Sequence, residues 1–209
     1  MADQHQIKRH APADLFRYGN EDGCHIIPVT LICGARDKFS SHTPTTDIRA
    51  GVILGKRAAD NKYGPMIRHT LSAAEAIGQT VLSMNSTEGF AVGDNVYIRT
   101  SAWATEQDLG ALTAVATTTI TVTNALSNNY AAGDYVYLSN GLGQAKCVLA
   151  DNTTVVDENA SDLAAPQARS IWRTYNASLL SGAIPNIDDR AIEEMDGDAA
   201  AEADIDFGP

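Results

Sequence analysis

Asp47-Ile-Arg-Ala-Gly-Val-Ile-Leu-Gly-Lys56, followed by Asn61-Lys-Tyr63, is the stretch that decides how this chain folds. Gly51 and Gly55 bracket a β-branched and aliphatic run, which reads as a short strand. The polar segment after Lys56 reads as a turn, and Lys62-Tyr63 begins a second short strand. A matching piece lies far downstream. Gly143-Gln-Ala-Lys-Cys-Val-Leu-Ala-Asp-Asn-Thr-Thr-Val155 is an apolar strand running into a polar turn at Asp151. Between the two lies a segment of different character.

That middle segment carries an internal repeat. Phe90-Ala-Val-Gly-Asp-Asn-Val-Tyr-Ile98 and Tyr130-Ala-Ala-Gly-Asp-Tyr-Val-Tyr-Leu138 align without gaps. Each copy has an aromatic anchor, a Gly-Asp turn and an alternating strand. Glycine there supplies positive φ, and aspartate bonds neighbouring backbone amides, fixing how the chain enters the strand. Leu112 to Asn124 reads as a hairpin with threonine on one face and valine or isoleucine on the other. Gln79-Thr-Val-Leu-Ser83 reads as a first strand, entered from a short helical turn over Leu71 to Ile77. Two copies are too few for a solenoid, so a small barrel or sandwich is expected.

Outside these elements, residues 1 to about 22 lack periodicity and read as an arm. Cys24 to Cys33 is a β-branched strand, and Pro28 within it cannot donate to a ladder, which places the strand at an edge. Lys38 to Thr46 reads as a loop. Ala168 to Tyr175 reads as the last core strand, Asn176 to Gly182 as a helical turn, and Ile184 to Met195 as a short helix capped by Asp188 or Asp189. Seven of the 26 acidic residues fall in Glu193 to Asp206 without a single basic one. This end reads as a disordered acidic tail.

The net charge of −11 therefore comes largely from the tail, and the remainder is mildly acidic. No Lys/Arg cluster suits a phosphate backbone, so direct nucleic-acid binding is not expected. The N-terminal stretch lacks the apolar core of a secretory signal, and Ile26 to Cys33 is too short for a bilayer. A soluble protein made in the cytosol, with no membrane partner, is the expectation. Cys24, Cys33 and Cys147 show no C-x-x-C spacing and read as idle thiols in a reducing compartment.

The split signature resembles the head decoration protein D family of lambda-like tailed phages, in which an R-x-G-T-V-L-G-K … G-K-Y strand pair precedes an A-V-G-V-L-x-x-D-V strand. The core signature residues are Gly51, Leu54, Gly55, Lys56, Tyr63 and Asp151. The chain departs from the family in its middle segment and in Trp172-Arg173 of the last core strand. The resemblance implies a mainly β protein with a β-clip-like core interrupted by an inserted β-module, and an extended N-terminal arm. Its divisions are an arm and edge strand at 1–45, the core's first half at 46–71, the module at 72–140, the core's second half at 141–192 and the tail at 193–209. It also implies a homotrimer on the outer surface of the virion capsid, contacting the major capsid protein at three-fold positions. The arm, Ile7 to Ile32, would present Ile7, Leu15, Phe16, Tyr18, Ile26 and Ile27 to capsid strands; Phe16 and Tyr18 packing on the chain's own core is the alternative.

Enzymatic chemistry finds little footing in the sequence. His5, His10, His25, His42 and His69 form no H-x-H or H-E-x-x-H pair, so no metal site is expected. No G-x-S-x-G elbow, Walker motif or dinucleotide glycine motif occurs. Asp188-Asp189 and Glu193-Glu194 suit capping and a solvated face rather than acid/base work, and the Gly-Asp turns account for Asp94 and Asp134 without calcium. No catalytic residue and no cofactor is expected. Tyr97, Trp103, Tyr135 and Tyr137 read as core and cross-strand partners. As a sugar-binding patch they would support a second reading, an adhesive or receptor-binding module carried on the virion.

Overall fold

The computed structural model describes residues 25–32, 47–48, 51–149, 153–154, 168–173, 177–180, 188, 190–191, 194 and 205–208. The arm positions Ile7, Leu15, Phe16 and Tyr18, the loop at 38–46, Cys24, Cys33, Asp151 and the bulk of the acidic tail lie outside the described residues. The fold is mainly β. The chain divides into two compact units, one holding Met1–Asp37, Pro44–Ile53 and Lys146–Pro209, the other Lys38–Thr43 and Leu54–Ala145.

In the first unit, β1 (His25–Thr30) pairs antiparallel with β13 (Ala168–Arg173), Pro28 opposite Ser170. Among the described strands β1 ends its sheet, which suits a strand whose proline cannot donate to a ladder. Ile26 and Ile27 lie on β1 opposite Trp172 and Ile171. β13 also pairs with β11 (Cys147–Leu149), whose Cys147, Val148 and Leu149 are all buried. β2 (Asp47–Ile48) pairs with β12 (Thr153–Thr154).

Two expectations for the C-terminal region change. Ala177–Leu180 is a strand, β14, where a helical turn was read, and it pairs in parallel with β15 (Ile205–Gly208), inside the expected disordered tail. A short helical pattern can be met equally by a strand of four residues, and the partner strand is distant in sequence. Arg190, Ala191 and Glu194 are helical, and Asp188 Oδ1 accepts the Ala191 amide at 2.7 Å, so Asp188 is the cap.

The second unit takes up β3 (Ile53–Lys56) from Leu54, and the chain turns back as β4 (Tyr63–Pro65). β5 (Arg68–Thr70), β6 (Val81–Ser83), β7 (Asn95–Arg99), β8 (Glu106–Val115), β9 (Thr119–Val122) and β10 (Tyr135–Leu138) form a six-stranded sheet in the order β5-β10-β7-β8-β9-β6. This sheet curls into a half-barrel. Its two end strands meet at a Leu71–Met84 bridge, where Ser72 N donates to Ser83 O at 3.0 Å and Asn85 N to Thr70 O at 2.9 Å. Alternation fills the inside: Leu82, Val96, Ile98, Leu112, Ile120 and Val122 are buried between exposed or half-buried neighbours. Bulges at Val96/Tyr97 and Leu112/Ala114 accentuate the curl.

The repeat is deeper than its sequence shows. In both turns the glycine has positive φ, 95° at Gly93 and 91° at Gly133. Asp94 Oδ2 accepts the Ala91 amide and Asp134 Oδ2 the Ala131 amide, each at 2.8 Å. The turn of each copy is then clasped by the other copy's first strand. Gly93 N donates to Leu112 O and Leu112 N to Asp94 O; Gly133 N donates to Leu71 O and Leu71 N to Asp134 O. β7 and β10 pair with each other through the middle. The duplicated unit therefore comprises β5, β6, turn and β7, matched by β8, β9, turn and β10, with the two interlocked.

Leu71 to Ile77 forms no helical turn. Leu71 bridges Met84, and Glu75 exchanges backbone bonds with Tyr130 (2.9 and 3.0 Å), so non-local pairing claims the amides a helix would need. The compact unit also runs wider than the 72–140 read for the module, from Leu54 to Ala145. Backbone bonds explain its extent: Ala58 N donates to Asn140 O, and Ile67 N to Leu142 O.

Candidate functional site

The signature residues occupy defined positions. Gly51 has φ 89°, a left-handed conformation that favours glycine. Its amide donates to Leu149 O at 2.8 Å, and Leu149 N donates to Val52 O at 2.9 Å. Together with the β2–β12 pair, these bonds join the two sequence fragments that lie about ninety residues apart. Both sets of bonds fall within the first unit.

In the second unit, Leu54 is fully buried. Gly55 meets the backbone of Leu142 so closely that an added Cβ would lie 2.6 Å from its carbonyl oxygen and 2.7 Å from its Cα. Lys56 and Tyr63 are cross-strand partners, with Nζ 5.7 Å from the ring centroid. Arg57 and Asp60 close the β3–β4 connection: Nε donates to Oδ1 at 2.9 Å. The Arg57 guanidinium holds the Asp60 carboxyl well below the usual carboxylate range. The segment Gly141-Leu-Gly143, which reads as a linker, is a strap against this hairpin. Its Gly143 lies on the Tyr137 ring, where a Cβ would come within 2.4 Å of Cδ2.

A second cluster gathers on the curled sheet. Trp103, in the β7–β8 connection, has φ 58°, a strained conformation for an aromatic residue. Thr100 holds the connection in shape: its carbonyl accepts the Trp103 amide at 2.7 Å, and its hydroxyl accepts those of Ala104 and Thr105. Tyr137 stacks on the indole with centroids 5.4 Å apart and planes at 23°. The Arg99 and Arg68 guanidiniums lie over the same indole at 4.6 and 5.6 Å. Tyr135 and Tyr97 pack edgewise against Trp103 and Tyr137. Tyr137 donates its hydroxyl to Glu106, which also sits 3.5 Å from Arg99 Nε. Burial first, and Glu106 second, push the Tyr137 hydroxyl well above its ordinary range.

A sugar platform needs an open ring face, whereas a phenol ring and two guanidiniums already lie over Trp103. Tyr97 and Tyr137 are cross-strand partners, and Trp103 packs on Tyr137 from the β7–β8 connection.

Other chemistry can be placed as well. His69 Nε2 lies 2.6 Å from Glu88 O, and its ring packs edgewise on Phe90. Asp134, buried, also accepts the Ser101 amide at 2.7 Å, so it ties the Trp103 connection to the second Gly-Asp turn. Glu75, likewise buried, accepts the Ser83 amide at 2.7 Å. Cys147 is a buried thiol. Among the described residues no group of three or more His, Cys, Asp or Glu side chains is arranged to hold a metal ion, and no helix is long and apolar enough to cross a membrane. The strap and the reciprocal clasp escaped sequence reading; Gly141 and Gly143 are the local signal of the strap, and the Gly-Asp turns that of the clasp. Comparison of the chain with family models, with curated proteins and with solved structures finds no match.

Proposed function

We propose that this chain is a structural virion protein, a capsid decoration or cement protein that binds the outer surface of an expanded phage head and stabilises it against the pressure of packaged DNA. The observation that carries the reading is the joining of the split signature: Gly51 and Val52 bond Leu149 while β2 pairs with β12, bringing together the fragments on which the resemblance rests. The facing Lys56 and Tyr63 on a glycine-bounded hairpin add to it.

In this reading the protein is a homotrimer on the three-fold positions of the major capsid protein lattice. Each protomer's contacts are modest, and simultaneous engagement raises avidity by roughly 10²–10⁴-fold. The N-terminal arm adds a strand to capsid sheets, where backbone bonds supply affinity. The chain is non-enzymatic and needs no cofactor.

The test is to mix the protein with expanded, undecorated capsids. Binding should saturate at three chains per three-fold position, and decorated particles should outlast bare ones on heating. Absence of saturable binding sinks the proposal. Removing residues 1–22 should weaken binding while leaving the β fold intact; unchanged affinity removes the arm from the mechanism.

A further inference from the structure

We infer that the outer face formed by Leu109–Val115 of β8, by β9 and by β6 is the surface through which copies of this chain associate. The inference deepens the decoration reading by assigning its homo-oligomer contact, and its test separates the two.

The argument begins with charge. A chain of net charge −11 repels its own copies, and repulsion is weakest where charge is absent. Two stretches of the chain, Ala76 to Thr87 and Leu109 to Gly133, contain no Asp, Glu, Lys, Arg or His. The fold places them side by side. β6, from the first stretch, pairs with β9, from the second, with Val81 opposite Thr121 and Ser83 opposite Thr119. β8 flanks β9 on its other edge, and Thr113 Oγ1 donates to Thr121 O.

The exposed surface here is apolar as well as neutral. Leu82, Ile120 and Val122 point inward and are buried, which turns Val81, Thr121 and Thr123 outward. Among the described residues three large hydrophobic side chains stand out as exposed, and two belong to this region: Val81 at 52% and Ile77 at 62%. Ile77 is fixed beside the same stretch, because its amide donates to Asn129 Oδ1 and the next amide, of Gly78, to Leu126 O. Threonines on a pleated face present methyl groups with little side-chain entropy to lose. A charge-free, partly apolar face on a chain of net negative charge fits a second copy of itself better than a cationic or anionic partner, because it offers no charge for either to pair.

Val81→Lys, Thr121→Lys and the double variant test this in the full-length chain. Wild type should sediment as an oligomer. Each single variant should dissociate about tenfold more readily, since a lysine in the centre of an interface has no partner there. Ala59→Lys, on the exposed β3–β4 connection, should leave association unchanged. Circular dichroism must show the native β spectrum in every variant. A second probe avoids any folding ambiguity: Thr121→Cys, in the otherwise native chain, should form disulfide-linked dimers under mild oxidation faster than Ala59→Cys does. A monomeric wild type, or lysine variants that associate like wild type, overturns the inference. Capsid binding is measured on the same variants. Absence of saturable capsid binding by wild type would sink the decoration reading, whereas intact association of the lysine variants would sink only the surface assigned here.

Discussion

Replacing Gly55 by alanine tests the close packing of the strap on the β3–β4 hairpin, and the sign of the effect is itself diagnostic. Gly55 lies outside the positive-φ glycines, so alanine meets no backbone strain there. In open space the substitution would stabilise the protein by about 0.4–1 kcal/mol through the unfolded chain. Here the new methyl would lie 2.6, 2.7 and 2.8 Å from the carbonyl oxygen, Cα and carbonyl carbon of Leu142. Backbone cannot swing aside as a side chain can, and overpacking costs about 1–3 kcal/mol. The net is a destabilisation of about 1–2 kcal/mol, or a fall in Tm of about 2–8 °C. Urea and thermal unfolding followed by far-ultraviolet circular dichroism measure it, with an unchanged m value excluding a change in the denatured state. A variant as stable as wild type, or more stable, would refute the contact between strap and hairpin. Gly78→Ala serves as the contrast: nothing lies within 4 Å of its Cβ position, and its φ of 89° makes the cost purely conformational.

The two Gly-Asp turns make a matched pair. Gly93→Ala and Gly133→Ala should each cost about 1–2 kcal/mol, and by equal amounts, because both have positive φ and open space; unequal costs in urea titrations would break the equivalence. Asp134→Ala should cost more than Asp94→Ala, about 2–3 against about 1 kcal/mol, because buried Asp134 leaves two amides unpaired and half-buried Asp94 one. The raised pKa of Tyr137 means the folded state holds its phenolic proton after the unfolded chain, near pH 10, releases it. Stability is therefore whole below pH ~10 and declines above it. Tyr130, also raised by burial, adds to the decline. Tyr137→Phe should make the alkaline loss shallower in unfolding measured from pH 8 to 11, and an identical slope would contradict the assignment.

Features specified locally were legible from residues alone. Pro28 announced an edge, and β1 is at an edge. The Gly-Asp turns carry their own φ and side-chain bonds, so sequence identified both. The Val/Ile against Thr alternation of the β8–β9 hairpin gave its buried face, although β8 reaches back to Glu106. Features specified by distant partners were not legible. Leu71-Ser-Ala-Ala-Glu-Ala-Ile77 has helix-forming composition, yet Met84 and Tyr130 take its backbone. Ala177–Leu180 and Ile205–Gly208 pair across a long separation that no local pattern reports. Gly141 and Gly143 resemble any flexible linker until the surfaces they lie against, Lys56 and Tyr137, are known.

The reciprocal clasp has a consequence for synthesis on the ribosome. When β7 first leaves the exit tunnel, the partners of its flanking turn and of both its edges, Leu112, β8 and β10, have not yet been made. The first copy therefore has nothing to close against until the second emerges, and the nascent chain carries open ladder edges for that interval. Slow translation between these copies would lengthen the exposure, so a pause there should favour aggregation over productive folding.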